Sequence, residues 1–261
     1  MFRALYTAST GMYGQQLNID AISHNVANVN TTGYKKSRVN FQDLLYQTIQ
    51  KPVVTQENQE PMGLQIGLGV RPGSIQTSFE QGSLIPTNNP LDIAIFGDAF
   101  FKLEVAGYDE PLYSRNGAFL LDSFGTLVTP DGHLVMGVDT FSANATNISV
   151  ASDGTITYTT PDDDTPVEAG QIQLARFMNP AGLEKVGSSL YRASASSGEP
   201  EDWSPEDDAS ISLTSGYLEN SNVNIVEEMV NLITAQRAYE FNSKSIQSSD
   251  EMLQMAANLK R

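Results

Sequence analysis

Only His24 and His133 could serve as imidazole acid, base or metal ligand, and the chain has no cysteine. The lack of cysteine excludes disulfides, thiolate metal sites and a thiol nucleophile. The two histidines stand 109 positions apart, and neither lies in a nucleophile-elbow or zinc-ligand motif. His24 belongs to a helical stretch and His133 follows the Pro130-Asp-Gly132 turn, so a His/Ser/Asp triad would have to be assembled by the fold. Carboxylates are denser. Asp162-Asp-Asp164 and Glu199-Pro-Glu-Asp-Trp-Ser-Pro-Glu-Asp-Asp208 could attract calcium. Neither has the alternating ligands, central glycine and distal glutamate of an EF-hand loop, so both read as solvated surface loops. Trp203, inside the second tract, either anchors that loop or faces a partner. Gly67-Leu-Gly69 lacks the third glycine and the βαβ setting of a dinucleotide fingerprint, and reads as a turn feeding a strand. No catalytic, cofactor-binding or metal residue follows from these patterns. A Ser-Lys or paired-carboxylate hydrolase of cell-wall polymer is the enzymatic alternative to test.

The elements that would have to position such groups say more. Ser221 to Lys260 contains neither glycine nor proline, and Ile225, Leu232, Tyr239, Ile246 and Leu253 recur at intervals of seven. Seven residues make nearly two helical turns, so these five line one side of a long helix. Met229, Ala235, Asn242, Ser249 and Ala256 flank that seam. Asn224 is placed to cap it, with Glu227 three residues on in a capping-box arrangement. Glu227 and Glu228 suit the positive end of the helix dipole, and Lys260 and Arg261 the negative end. Arg237 can reach Glu240, and Glu240 can reach Lys244, either as exposed charges or as a partly buried bridge setting register between helices.

The N-terminus answers in kind. Leu5, Ala8, Met12, Gln15, Ile19, Ile22, Val26 and Val29 step by three and four, with Gln15 the one polar break. The two patterns predict helices that pair with each other and with copies of themselves. The helix stops in Asn28-Val-Asn-Thr-Thr-Gly33, and the basic run Tyr34-Lys35-Lys-Ser-Arg38 follows, either a solvated loop or an anchor for acidic groups on a neighbour.

Charge separates the ends from the middle. Residues 1–50 carry four basic and two acidic side chains, and residues 222–261 four and five. Residues 51–221 carry seven basic against twenty-four acidic side chains. Nearly neutral ends can pack densely, whereas the acidic middle should face solvent and is unsuited to nucleic acid. No apolar run is long enough to span a membrane, and Met1–Gly11 lacks the apolar core of a secretory signal, so an exported chain would need another route.

Residues 39–50, with Phe41, Leu44, Leu45 and Ile49, read as a short helix or an extended arm ended by Lys51-Pro52, and 52–63 as a polar linker. From 71 to 220 short β segments alternate with turns at Asp122–Gly125, Pro130–Gly132 and Ser152–Gly154, as in an irregular sandwich or barrel. The expected fold class is α+β: discontinuous, coiled-coil-like N- and C-terminal helices around a mainly β centre. The expected domains are 1–35 with 221–261 (helical), 36–70 (extended linker or arm) and 71–220 (acidic, all β).

Ser23-His-Asn25-Val-Ala-Asn28-Val-Asn-Thr-Thr-Gly33-Tyr34-Lys35 resembles the N-terminal signature of the bacterial flagellar axial proteins of rod and hook. Further matching blocks are Asn89 to Phe101, Tyr113 to Phe119, Gly125 to Thr129, Ser221-Asn-Val-Asn224, Glu228-Met-Val and Gln236-Arg-Ala-Tyr-Glu240. Phe41–Pro72 is most similar to the distal-rod branch. The resemblance implies a structural, non-enzymatic subunit of a rigid hollow drive shaft that carries torque from motor to hook around an export channel. It implies type III export without a cleaved signal, a rod in the periplasm, and terminal helices that fold on assembly. Implied partners are copies of itself, proximal rod proteins, the hook protein, and P-ring and L-ring proteins where an outer membrane exists, with no nucleic acid and no membrane insertion. The expected assembly interface comprises Leu5, Met12, Ile19, Ile22, Asn25, Val26, Asn28, Gly33, Tyr34, Lys35, Ile225, Leu232, Arg237, Tyr239, Ile246 and Leu253. The alternatives are another axial protein (proximal rod or hook), a periplasmic binding module, or the hydrolase above.

Overall fold

The computed structural model describes residues 2–51, 53–55, 58–60, 62–142, 144–161, 163–205 and 210–258. Lys260, Arg261, Asp162 and Glu206 to Asp208 lie outside the described residues. The chain is α+β and divides into two compact units.

The first unit comprises Met1–Ala27, Ser37–Gln76 and Asn224–Arg261. Its helices are α1 (Phe2–Ala27) and α2 (Ile225–Asn258). Asn224 caps α2 as expected: its Oδ1 accepts from Val226 N at 3.1 Å and Glu227 N at 3.5 Å. At 34 residues, α2 is about 50 Å long. Strands β1 (Ser37–Asp43), β2 (Tyr46–Gln50) and β3 (Val53–Thr55) run out, and β4 (Asn58–Glu60), β5 (Leu64–Gly67) and β6 (Val70–Thr77) return. They pair β1 with β6, β2 with β5 and β3 with β4, making a two-stranded ribbon. Of the two readings of residues 39–50, the extended one holds. Thr48 and Ile49 favour strand, and the deciding hydrogen bonds come from residues 64–67, beyond any local window. Gly69, at φ +125°, makes the turn into β6, and a Cβ there would lie 2.4 Å from Thr10 Oγ1. Only glycine lets the returning strand pass this close to α1.

The second unit comprises Asn28–Lys36 and Thr77–Val223. The 28–36 segment therefore clusters with the β unit, whereas the ribbon, expected as a separate linker, clusters with the helices. Its strands are β7 (Leu84–Pro86), β8 (Ile93–Phe96), β9 (Phe100–Glu104), β10 (Leu112–Ser114), β11 (Leu120–Leu121), β12 (Leu127–Val128) and β13 (Leu134–Val135). There follow β14 (Thr146–Val150), β15 (Thr155–Thr160), β16 (Asp163–Gln171), β17 (Leu174–Arg176), β18 (Glu184–Gly187) and β19 (Leu190–Arg192). The last are β20 (Glu201–Asp202), β21 (Ser212–Ser215) and β22 (Tyr217–Glu219). A nine-stranded sheet runs β11-β12-β13-β9-β10-β19-β18, with β17 also on β9 and β20 on β17. Alternation along β9 supplies both cores. Phe101 and Leu103 enter the main one with Ile93, Leu112, Phe119, Ile156 and Leu213. Phe100 points the other way, into a second cluster with Tyr113, Ala175, Phe177 and Tyr191.

The acidic tracts differ from the loops expected of them. Asp163 and Asp164 open β16, and Glu201 and Asp202 form β20, held where Lys102 Nζ meets Asp202 Oδ1 at 2.6 Å. Trp203 is an anchor: it packs against the main core and its N–H donates to Leu174 O at 3.0 Å.

Candidate assembly surface

Within the first unit the helices meet along the heptad positions. Leu5, Ala8, Met12, Gln15, Ile19, Ile22 and Val26 of α1 are buried or half-buried, as are Glu228, Leu232, Ala235, Asn242, Ile246, Ser249 and Leu253 of α2. Gly11 lies against Asn242, where an added Cβ would come within 2.9 Å of Nδ2. Two heptads away, Asn25 Nδ2 donates to Glu228 Oε2 at 3.2 Å. Moving down one helix thus means moving up the other, and the pair is antiparallel. Asn25 also exchanges two hydrogen bonds with the Ser37 backbone, both 2.9 Å, so it ties the end of α1 to the start of β1.

The seam leaves much apolar surface uncovered. Val226, Val230, Ile233 and Phe241 share an outward stripe of α2, with Val226 72% and Phe241 67% exposed. Phe2, Tyr6 and Tyr13 do the same on α1, and Leu45, Ile49 and Leu64 on the ribbon. Ile225 and Tyr239, expected along the seam, are exposed too. Arg237 meets Glu240 at 2.8 Å with both side chains more than half exposed, so within the chain this is a surface pair of small energetic weight.

Asn28, Gly33, Tyr34 and Lys35 lie in the second unit. Asn28 organises the turn, its O accepting from Thr31 N at 3.2 Å and its Oδ1 from Thr31 Oγ1 at 3.2 Å. Gly33 takes φ +68° and donates its N–H to Glu219 O at 2.8 Å. Lys35 departs from the anchor reading: its ammonium is enclosed within its own chain, 2.6 Å from Glu219 Oε1 and 2.7 Å from Glu80 O. Arg115 approaches the other oxygen of Glu219 at 3.4 Å and donates to Gly97 O at 2.6 Å. Burial pushes Lys35 below the usual ammonium range, against the pull of Glu219. Burial likewise lowers Arg115, again opposed by Glu219. Sequence reasoning missed Glu219 and Arg115. Their one signal is a solitary charge inside an otherwise uncharged block, as in Leu112-Tyr-Ser-Arg-Asn-Gly-Ala-Phe119.

His24 and His133 fall in different units. Among the described residues there is no cluster suited to a metal ion and no helix long and apolar enough to cross a membrane. What the arrangement offers is surface for packing.

Three family models match successive parts of the chain. They are "Flagella basal body rod protein" over residues 5–35, "Flagellar hook protein FlgE/F/G D1 domain" over 94–158 and "Flagellar basal body rod FlgEFG protein C-terminal" over 214–259. The basal-body rod protein FlgG of Buchnera aphidicola subsp. Baizongia pistaciae is 43% identical over 256 residues, covering 97% of this chain and 98% of the relative. That of Borreliella burgdorferi is 43% identical over 265 residues and that of Bacillus subtilis 40% over 271, each spanning 100% of both chains. Terminal helices joined in one layer, with a β unit inserted between them in sequence, define a chain of flagellar axial type. More narrowly, the chain belongs to the FlgG family of flagellar basal-body rod proteins.

Proposed function

We propose that this structural subunit of the flagellar distal rod builds the rod wall by packing its helix pair against copies of itself. The observation that carries this reading is the outer apolar stripe of α2, Val226, Val230, Ile233 and Phe241, left uncovered after the in-chain seam is closed. Beyond the internal seam, a lattice needs two different outward faces, and the exposed stripes of α2 and of α1 (Phe2, Tyr6 and Tyr13) supply two. A face that meets a different face on the next copy continues as a filament instead of closing as a dimer. Ile225 and Tyr239, exposed on the seam side of α2, give a neighbour a second point of contact, Arg237 lies within the outward face, and coiled-coil-like packing between copies would reuse the heptad spacing. An isolated two-stranded ribbon is marginal in water, so the ribbon too gains from a neighbouring copy.

In this reading the stacked helices surround an export channel and transmit torque from motor to hook. The chain reaches the periplasm by type III export. Proximal rod proteins and the hook protein lie at the two ends, and P- and L-ring proteins outside where an outer membrane exists. The role is mechanical and non-enzymatic, supported by relatives named as rod proteins. The test is a motile strain whose copy of this chain carries Val230→Asp and Ile233→Asp. The expected result is a secreted chain with a folded β unit but no distal rod in electron micrographs of basal bodies. Normal basal bodies and swimming would overturn the proposal.

A further inference from the structure

Residues 28–36 form a strap in the second unit, fastened by hydrogen bonds and a buried ion pair, with the ring of Tyr34 buried as well. Gly33 N–H is bound by Glu219 O at 2.8 Å, and Lys35 Nζ by Glu219 Oε1 at 2.6 Å, Glu80 O at 2.7 Å and Phe79 O at 3.4 Å. Asn222 completes the fastening. Its Oδ1 accepts from Lys36 N at 2.8 Å, its N–H donates to Tyr34 O at 3.4 Å, and its Nδ2 bridges Ser78 O and Glu80 O at 3.0 and 3.1 Å. The aromatic ring of Tyr34 lies under the Lys185 ammonium, 5.5 Å from its centroid. Neither apolar cluster of this unit includes a strap residue.

The electrostatics are unbalanced. Lys35, Arg115 and Glu219 each keep about 1% of their side-chain surface, so two cations share one buried carboxylate. The next carboxylate, Asp98, is 3.9 Å from Arg115 and largely exposed. A buried ion set of this kind holds firmly while complete and gives way when one member is lost, because the remaining charges stay desolvated without a counterion. Opening the strap returns Lys35 to water and uncovers one buried aromatic ring, that of Tyr34, whereas opening β9 exposes two whole cores. The Lys35–Glu219 contact also closes a loop of 184 residues, a larger entropic cost than that of any hairpin in the unit.

We propose that Glu219 is the lock of this strap, and that the strap opens and closes as one unit while the β core stays folded. The N-terminal segment is then fastened only once β22, the last strand of the β unit, has arrived, which makes the strap a check on completeness of that unit.

Native-state hydrogen exchange on the full chain, read by peptide mass spectrometry, tests this. In the unmodified protein the strap peptide should exchange at least about tenfold faster than peptides of β9 and β10, as a sub-global opening requires. In Glu219→Gln the strap should accelerate by a further factor of about 100, with β9 and β10 unchanged. Equal rates for strap and β9 in the unmodified chain, common acceleration of both in the variant, or no acceleration, would each overturn the proposal. If Glu219→Gln does not fold, Asn222→Ala removes only uncharged fastenings. It should speed the strap alone, and acceleration of β9 with it, or no change, would sink the idea.

Discussion

Asn25 and Glu228, 203 positions apart in sequence, meet at 3.2 Å in the seam between α1 and α2. Both are buried, and the contact joins a neutral donor to a carboxylate. A polar pair inside a helix seam stabilises one register above others, because a shifted register takes the Asn25 donor away from the buried Glu228 carboxylate. It sits where α1 ends and α2 begins, so the two heptad stripes are aligned from one end.

Removing Asn25 should therefore matter more than its size suggests. Asn25→Ala strips the partner from Glu228 and from both backbone groups of Ser37, and should destabilise the helical unit by about 2–3 kcal/mol. Glu228→Gln keeps an acceptor for Asn25 and should cost less than half as much. Urea titration followed by far-ultraviolet circular dichroism reads the difference, and equal midpoints for Asn25→Ala and the parent would refute the role.

The two apolar faces of α2 should separate cleanly by mutation. Leu232→Asp places a charge in the seam against α1 and should lower helix content and stability in the isolated chain, by about 3 kcal/mol or more. Val230→Asp changes the outward stripe and should leave the isolated chain within about 0.5 kcal/mol of the parent. Both should block rod growth. Loss of stability in Val230→Asp equal to that in Leu232→Asp would mean that the faces are not distinct.

Heptads were legible because they are local: Leu232 and Ile246 announce their helix within four turns, and Asn224 announces its start. Turn glycines were equally plain, since Gly125, Gly132 and Gly154 all take positive φ where Asp-x-x-Gly or Asp-Gly marked a turn. Residues 39–50 were ambiguous because Phe41, Leu45 and Ile49 recur every four residues, a helical spacing, while their hydrogen-bonding partners lie in the returning half of the ribbon. The buried ion set was not legible. Lys35 looked like part of an exposed basic run, and nothing near it in sequence points to Glu219. Arg115 gave as little sign. Which stripe of α2 faces outward was also out of reach, because the heptad on the sequence is the one consumed by α1.

Glycine at position 33 should be irreplaceable for reasons that another left-handed glycine does not share. Gly33 has φ +68°, and a Cβ there would lie 2.7 Å from the backbone carbon of Arg115. Gly132 has φ +84° with nothing within 4 Å of the same position. Gly132→Ala should cost only the backbone term, about 1–2 kcal/mol. Gly33→Ala adds a collision with rigid backbone and should cost clearly more, read as a larger fall in melting temperature. Equal falls would show that the strap yields freely around residue 33.

Alkaline titration should expose the second aromatic cluster. Tyr113 is fully buried beside Phe177, its ring 4.7 Å away edge to face. Burial, reinforced by the charges of Asp202 and Glu110, pushes its phenol from 10.0 up to about 12. Burial raises Tyr191 in the same cluster as well. The folded state thus holds a proton that the unfolded chain releases, so the stability due to Tyr113 is complete below pH 10 and drains away as pH climbs toward 12. Lys35 and Lys185 act in the opposite sense, since burial lowers both and the unfolded chain then binds more protons than the folded one. The contribution of the phenol must therefore be read as a difference. Tyr113→Phe removes the ionisable group and keeps the ring, so its urea midpoint relative to the parent should rise between pH 9.5 and pH 11.5, roughly the interval between the unfolded and folded values. A constant difference across that interval would mean that the phenol ionises as readily in the cluster as in water.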